Sequence, residues 1–387
     1  MPTVVIVQQA ILQYRGTFYE ELRSRLSAAG VTFRFVESRP VDHESGRGDR
    51  IHLVGAQSRP ARRVSIAGRE ALWQPVLGAV RGADLVIVEQ GSRLLVNHLL
   101  LAFQRMGGPR LAYWGHGRDF DRHGSDVASD RLKAFTSRRV HWWFAYNEAT
   151  VDIVRALGYP QDRISNVRNA TDTARLRGWV RDIGAAERRA LLDELGLAGG
   201  QVGVYVGAMT SAKRLDHLLD AAEHIRARLP GFELVLAGSG PLSAHVRARV
   251  ARHDWMAATG PRFGRDLASL FALGRVLLVP AGVGLVVVDG FAAGIPLVAS
   301  SAFAHRPELA YVTPGRDGLI VDDDGDPAIY AAAVVDLLGD DMRLARLSAG
   351  ASRAADSLSA QDMATRFADG ILQALRAPRY RTHRSGR

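Results

Sequence analysis

Four stretches in the second half of the chain set chemically capable residues at regular spacing. The first, VGAMTSAKRLD at 206–216, is a strand ending at Gly207, a short loop, then Lys213 and Arg214 at a helix start. The second, LAGSGP at 236–241, runs a strand into a turn holding Gly238 and Gly240, with proline opening the next helix. The third, ATGPRF at 258–263, carries Arg262 just past another glycine. The fourth, VPAGVGLVVVDGFAAGIPLV at 279–298, puts Gly284, Leu285 and Val286 at a helix start and Asp289 about one turn in. An ammonium group and helix-start amides can meet negative charge. Glycine lets the backbone come close, and a carboxylate can accept from hydroxyls. In the first half, WGHGR at 114–118 sets His116 between two glycines past a strand, which is no place for a core histidine.

Each feature also has a bland counterpart. A lysine at a helix start is ordinarily a solvated charge. However, Lys133 and Lys213 are the only lysines among 50 basic residues, so one at this position is harder to treat as chance. Gly238 and Gly240 read nearly as well as a tight turn, and Asp289 as a surface residue of its helix. The loop LQYRGT at 12–17, with Arg15 and Gly16, is close to a plain strand–helix connector, and Trp142 and Trp143 read as core.

The elements that position these residues follow from pattern. A chain of 387 residues is long for one core and suits two domains. Its 47% apolar and 23% charged content is that of a globular protein. The absence of cysteine excludes disulfides, thiolate metal sites and cysteine nucleophiles, and fits a reducing compartment. The net charge of +10 raises nucleic acid, but the arginines are dispersed with no aromatic-interleaved cluster, so nucleic acid is not expected as a partner. Residues 1–7 read as a buried strand rather than a signal peptide, and 276–299, broken by glycines, prolines and Asp289, as strand, loop, helix and strand rather than a membrane span.

Short apolar runs at 3–8, 31–37, 85–89, 110–114, 142–145 and 164–167 alternate with helical patterns such as 17–29, 94–106 and 148–157. The second half repeats the rhythm, with strands expected at 202–206, 233–237, 255–259, 276–279 and 297–299. Its helices are expected at 215–228, 242–252, 266–273 and 285–293. Continuous β-branched runs alternating with helices predict parallel sheets covered on both faces, that is, two doubly wound α/β domains. The first domain is expected at 1–178 and the second at 179–360, with a charged linker over 173–186. A final helix at 361–375 is free to cross back to the first domain, and a basic, disordered tail occupies 376–387. Two such domains facing across a cleft would bind ligands at the carboxyl ends of their strands. That pattern names no reaction.

Taken in order, the four stretches resemble glycosyltransferase family 4, the retaining GT-B enzymes. Members typically show a G-R-x4-K turn, a G-x-G-P turn, then a Glu-x7-Glu segment running into A-x-G-x-P-V. The resemblance covers the whole second half and reaches the first through WGHGR, through FAYNE at 144–148 and through VRNATDT at 167–173. It implies a GT-B architecture of two Rossmann-like domains, with the acceptor side in the first and the nucleotide-sugar donor site in the second. It also implies transfer from a nucleoside diphosphate sugar, such as a UDP-sugar, to an acceptor hydroxyl with retention, without metal or cofactor. Lys213 then meets the departing diphosphate, with Gly207, Arg214, Gly240, Arg262 and the 284–286 helix start around it. Asp289 holds hydroxyls of the donor, and His116 stands near the donor sugar. Gly16 stands at the diphosphate and Arg15 and Arg118 on the acceptor side, with Asp119 beside Arg118 binding donor or acceptor.

Three positions depart from the family pattern. Ala208 stands where the arginine is usual, and Ala281 and Asp289 stand in place of the two glutamates. These losses keep open a non-catalytic nucleotide-sugar-binding paralogue, and the architecture also serves sugar-nucleotide epimerases. The acceptor class (glycan, lipid-linked or small molecule) stays open. A cytoplasmic location is expected, with weak contact of the basic tail to an anionic membrane surface as the alternative to a solvated tail.

Overall fold

A computed structural model of the chain describes residues 1–38, 51, 53–66, 69–118 and 127–380. It divides into two compact units, one of Met1–Asn169 with Ala360–Arg387 and one of Ala170–Ser359. The first boundary thus falls at Asn169/Ala170 rather than after residue 178. The segment expected as a linker is instead mostly helix of the second unit.

In the first unit the strands are β1 (Thr3–Gln8), β2 (Thr32–Glu37), β3 (Gln57–Ser58), β4 (Arg62–Ile66), β5 (Arg69–Trp73), β6 (Leu85–Glu89), β7 (Arg110–Gly115), β8 (Trp142–Ala145) and β9 (Ile164–Asn166). Seven of them form a sheet in the order β3-β2-β1-β6-β7-β8-β9, while β4 and β5 make a separate antiparallel hairpin. Every pairing in the large sheet is parallel. The helices α1 (Gly16–Ala28), α2 (Leu95–Arg105), α3 (Val127–Ser137) and α4 (Glu148–Ala156) connect them. Alternate residues of one strand serve opposite cores. Val4 and Ile6 pack with Phe18, Trp114 and Phe144, while Val5 and Val7 pack with Tyr113 and Trp143. This two-faced burial is why the strands read as unbroken apolar runs. Trp142 and Trp143 are both core residues, on opposite faces of the sheet.

The second unit opens with α5 (Thr173–Asp182) and α6 (Ala185–Leu195), which occupy the stretch expected as linker. Its charged face hid an apolar stripe. Leu176 and Ile183 are buried, and Trp179 and Val180 pack against the same core. That i, i+3, i+4, i+7 spacing makes one helix face. The Asp172 side chain caps α5 by accepting the Arg175 N–H. The strands that follow are β10 (Gln201–Val206), β11 (Phe232–Ala237), β12 (Met256–Gly260), β13 (Val276–Leu278), β14 (Leu297–Ser300) and β15 (Gly318–Val321). They form a parallel sheet in the order β12-β11-β10-β13-β14-β15. The helices are α7 (Leu215–Arg228), α8 (Ser243–Val250), α9 (Gly264–Leu273), α10 (Val286–Ala292), α11 (Pro327–Leu338) and α12 (Asp341–Ala355). The apolar stretch 276–299 is β13, α10 and β14, and among the described residues no helix is long and apolar enough to cross a membrane.

The last helix, α13 (Ala360–Arg376), belongs to the first unit although it follows the second in sequence. Its apolar face explains this. Met363, Phe367 and Ile371 are fully buried at i, i+4, i+8 spacing. Phe367 stacks on Phe144 at 4.2 Å and meets Trp114 edge-on at 4.9 Å. A buried side chain of this size contributes about 1.5–3 kcal/mol, enough to hold a helix otherwise remote in sequence.

Candidate active site

In the second sheet the chain leaves β10 for β11 and β12 on one side, then returns to β13 on the other. The connections from β10 and β13 thus run to opposite sides, which makes the carboxyl ends of these two strands the switch point of the strand order, where open parallel sheets take their ligands. Lys213 closes the single turn Ser211–Lys213 in the first of these connections. Its ammonium donates to the carbonyl of Gly282 in the second. Gly282 has φ +61° and donates its own N–H to Ala304 O at 2.9 Å. A Cβ there would stand 3.1 Å from both Ala212 O and the Lys213 Cδ. Only glycine lets the two loops come this close.

Beyond Gly282 the chain turns into α10. Among the described residues, the N–H groups of Gly284, Leu285 and Val286 donate to no protein acceptor. They are the helix-start donors that a ligand or water must satisfy. The loop after β14 supports this turn. His305 accepts the Val283 N–H at Nδ1, 3.3 Å, and its Nε2 donates to Ser300 O at 2.7 Å, which selects the neutral Nε2–H tautomer. Burial, with the Lys213 charge adding to it, lowers the His305 pKa and keeps that form. The Arg306 side chain runs beside Gly284, its Cδ 3.6 Å from where a Cβ would be.

Asp289 lies in the first turn of α10, and its Oδ1 accepts the Thr171 hydroxyl at 2.7 Å. Burial pushes its carboxyl up to about 7, against the opposing Thr171 hydrogen bond. Arg214 has a left-handed backbone, φ +50°, and lays its guanidinium over the Phe303 ring at 5.2 Å. Arg262 follows the edge strand β12 and pairs with Glu194 at 2.9 Å. Gly207, Gly238 and Gly240 have a packing role. A Cβ on Gly238 would lie 1.8 Å from Gly207 O, and one on Gly240 would lie 2.4 Å from Met209 O. These glycines press the turn after β11 against the loop that carries Lys213.

In the first unit the loop after β7 holds His116. The Gln90 side chain grips this loop, accepting the Gly117 N–H at 2.9 Å and donating to the Gly117 carbonyl at 3.1 Å. The imidazole is half-buried and meets Tyr146 edge-on at 4.2 Å. Arg15 is turned inward at 5% exposure. Its guanidinium donates to Asn169 Oδ1 and Met363 Sδ and lies 5.0 Å over the Trp114 ring. Gly16 opens α1 and packs against Ile51, whose Cδ1 would stand 2.8 Å from a Cβ. Arg118 is exposed, and Asp119 lies outside the described residues.

Residues 200–340 match the family model described as glycosyl transferases group 1. A D-inositol 3-phosphate glycosyltransferase of Xylanimonas cellulosilytica is 30% identical over 262 residues, covering 64% of this chain and 58% of that protein. An alpha-D-kanosaminyltransferase of Streptomyces kanamyceticus is 26% identical over 241 residues, covering 60% and 56%. The chain thus spans a little over half the length of these curated relatives. Among solved structures, HepE of Anabaena in complex with UDP-glucose superposes with a TM-score of 0.70 at 14% identity, covering 96% of this chain and 100% of that one. WaaG, a glycosyltransferase involved in lipopolysaccharide biosynthesis, gives 0.67 at 14% identity, covering 95% and 98%. The chain has the GT-B fold, and the match to the group 1 glycosyltransferase model lies within its second unit.

Within the second unit the structure sets Lys213 on Gly282, two residues before the first of the 284–286 amides, with Asp289 in the first turn of α10. It does not bring Arg262 to them, since Glu194 holds its guanidinium. Gly207 and Gly240 act on the loop backbone behind Lys213 rather than as ligand contacts. Ala281, where the family pattern has glutamate, is 1% exposed, and the Ala208 carbonyl accepts the Tyr205 hydroxyl at 2.9 Å. Four contributors escaped the sequence reading: Thr171, His305 and Arg306 here, and Gln90 in the first unit of the GT-B fold. Thr171 lies in the quoted VRNATDT stretch and could have been found there. The loop of His305 and Arg306 and the side chain of Gln90 carry no motif.

Proposed function

We propose that the protein is a glycosyltransferase moving a sugar from a nucleoside diphosphate sugar, a UDP-sugar in the first instance, to an acceptor hydroxyl with retention. One observation carries this reading. An ammonium and three free amides occupy the switch-point crevice of a group 1 domain. In the reaction the bond from the anomeric carbon to the diphosphate oxygen breaks, and a bond from that carbon to the acceptor oxygen forms. The acceptor proton leaves. Positive charge grows on the sugar ring and negative charge on the diphosphate.

Lys213 and the amides of Gly284, Leu285 and Val286 meet that negative charge, with Arg306 beside the turn, so no metal is invoked. The ionised Asp289 accepts from donor hydroxyls. The UDP complexes of HepE support the choice of nucleotide. The acceptor is left as a hydroxyl-bearing glycan, lipid-linked glycan or small molecule.

The test is a thermal-shift screen of wild type and Lys213→Ala against UDP-, GDP- and dTDP-sugars, followed by transfer assays with any hit. A wild-type shift with one donor, abolished by Lys213→Ala, is expected. No shift with any donor overturns the reading. Ala208 and Ala281 favour a second reading, saturable donor binding without turnover, which would show as a shift with neither hydrolysis nor transfer.

A further inference from the structure

The first unit also holds a cavity of about 440 Å³ lined by Arg105, Arg110, Arg139, Arg379, His141 and Tyr380. It lies at the other end of the sheet from His116. Arg110 opens β7 and His141 immediately precedes β8, whereas His116 follows the carboxyl end of β7. None of its lining residues is acidic. Elsewhere the chain pairs its arginines with carboxylates, as in Arg249 with Asp220 and Glu223, Arg265 with Glu187 and Arg275 with Asp341.

Here, among the described residues, the guanidiniums of Arg139 and Arg379 meet carbonyls and a ring rather than carboxylates. Arg139 donates to Phe135 O at 2.9 Å and lies 3.5 Å over the Phe135 ring, and Arg379 donates to Gly108 O at 2.7 Å. Among the described residues, the buried Nε atoms of Arg110 and Arg139 have no hydrogen-bond partner. Asp84, the carboxylate that acts on Arg110, accepts instead from the Thr3 N–H at 2.8 Å. Burial lowers the pKa of Arg110, and Arg379 adds to this. Burial lowers that of Arg139 too, with Arg105 and Arg138 adding. Gathering like charges around unsatisfied donors is costly unless an anion sits among them.

The walls are held in place. Gln104 donates to Arg139 O at 2.8 Å and accepts the Leu111 N–H at 2.7 Å. His141 uses both ring nitrogens, one against Ala374 O at 2.8 Å and one accepting the Tyr380 N–H at 3.2 Å.

We propose that this cavity binds a phosphate group, with half-buried Arg110 and Arg139 and exposed Arg105 and Arg379 as its ligands. Several guanidinium forks converging on one space suit a tetrahedral phosphate, whose oxygens point in several directions, better than a single planar carboxylate. The volume is that of a small-molecule pocket, about 300–1,000 Å³, so the phosphate carries an organic substituent. Two sources share this chemistry, a soluble phosphomonoester and a phospholipid headgroup.

The experiment measures glycerol 3-phosphate binding by calorimetry at fixed ionic strength. In parallel it measures cosedimentation with phosphatidylcholine vesicles with and without phosphatidylglycerol. Arg105→Ala/Arg379→Ala alters two exposed side chains. Arg228→Ala/Arg247→Ala removes the same charge from the second unit. Loss of charge-assisted hydrogen bonds should weaken binding of at least one probe by about tenfold or more in the pocket variant, and by less than about twofold in the control. If circular dichroism shows the pocket double variant unfolded, Arg105→Glu gives the same comparison at an exposed position. Binding of glycerol 3-phosphate identifies a soluble ester, and binding of phosphatidylglycerol vesicles alone a headgroup. Equal loss in pocket and control variants, or no binding of either probe by wild type, overturns the proposal.

Discussion

The two units share a doubly wound parallel sheet whose strand order reverses once, yet their switch points are furnished differently. At the ends of β10 and β13 the second unit holds Lys213 near three amides that donate to no acceptor among the described residues. Between β1 and β6 the first unit closes on itself. Gln9 donates to Glu89 at 2.9 Å, Tyr19 donates to Gln8, and Arg15 is buried on Asn169, Met363 and the Trp114 ring. Burial raises the Glu89 pKa, opposed by the Gln9 hydrogen bonds and the Arg15 charge. The same topology thus yields one crevice with donors to spare and one whose polar groups satisfy one another. What a switch point can bind is decided by its loops, not by the fold.

The sharpest way to break this contrast is Lys213→Ala. Removing a cation that stabilises the departing diphosphate should lower kcat by about 10²–10³-fold, with circular dichroism melts little changed. A variant with normal kcat would strip the second crevice of its chemical role. Next in size is Arg15→Ala. Here the loss should fall on stability, about 2–4 kcal/mol, because buried hydrogen bonds and ring packing vanish together. Denaturant melts read this, and the donor thermal shift of the second unit should persist. Unchanged stability with lost transfer would move Arg15 from support to chemistry.

Gly238→Ala tests the glycine packing behind Lys213. Its Cβ would collide with Gly207 O, and at φ +150° the backbone itself favours glycine. A loss of about 1–3 kcal/mol with a weaker donor shift is expected, while unaltered melting and donor affinity would count against loop–loop pressure.

The smallest effect concerns Asp289. Its pKa in the folded protein, about 7, stands above the ordinary 3.8. The stability tied to the protonated form is therefore fully present below the ordinary value and is lost as pH rises through about 7. Between about pH 5 and about pH 8 the wild-type Tm should fall relative to Asp289→Asn by about 2–4 °C. If the ionised form holds the donor, KM for the donor should fall over the same range in wild type and stay flat in the variant. A parallel pair of Tm curves would place Asp289 in a solvated setting instead.

Much of this was legible beforehand. The alternating apolar runs located the principal strands of both large sheets, and the ordered glycine and lysine stretches pointed to the Lys213 crevice. The failures are equally physical. The stretch 173–186 reads as a linker because its charges, Arg175, Arg177, Arg181 and Asp182, mask the periodicity, while the stripe from Leu176 to Ile183 sets its packing. Arg262 was expected near the diphosphate, but its partner Glu194 comes from α6, far away in sequence. His305 and Arg306 escaped notice because their place beside Gly284 depends on β14 pairing with β13.

The amino-acid sequence by itself determined the principal strands of both large sheets, their parallel pairing and the position of Lys213 on a strand-to-helix loop. Those properties follow from periodicities of two and about 3.6 residues, which are local. The tertiary structure alone decided which cations stay available. Whether a guanidinium finds a carboxylate, an aromatic ring or open space depends on strand order and loop adjacency, which no window of neighbouring residues contains.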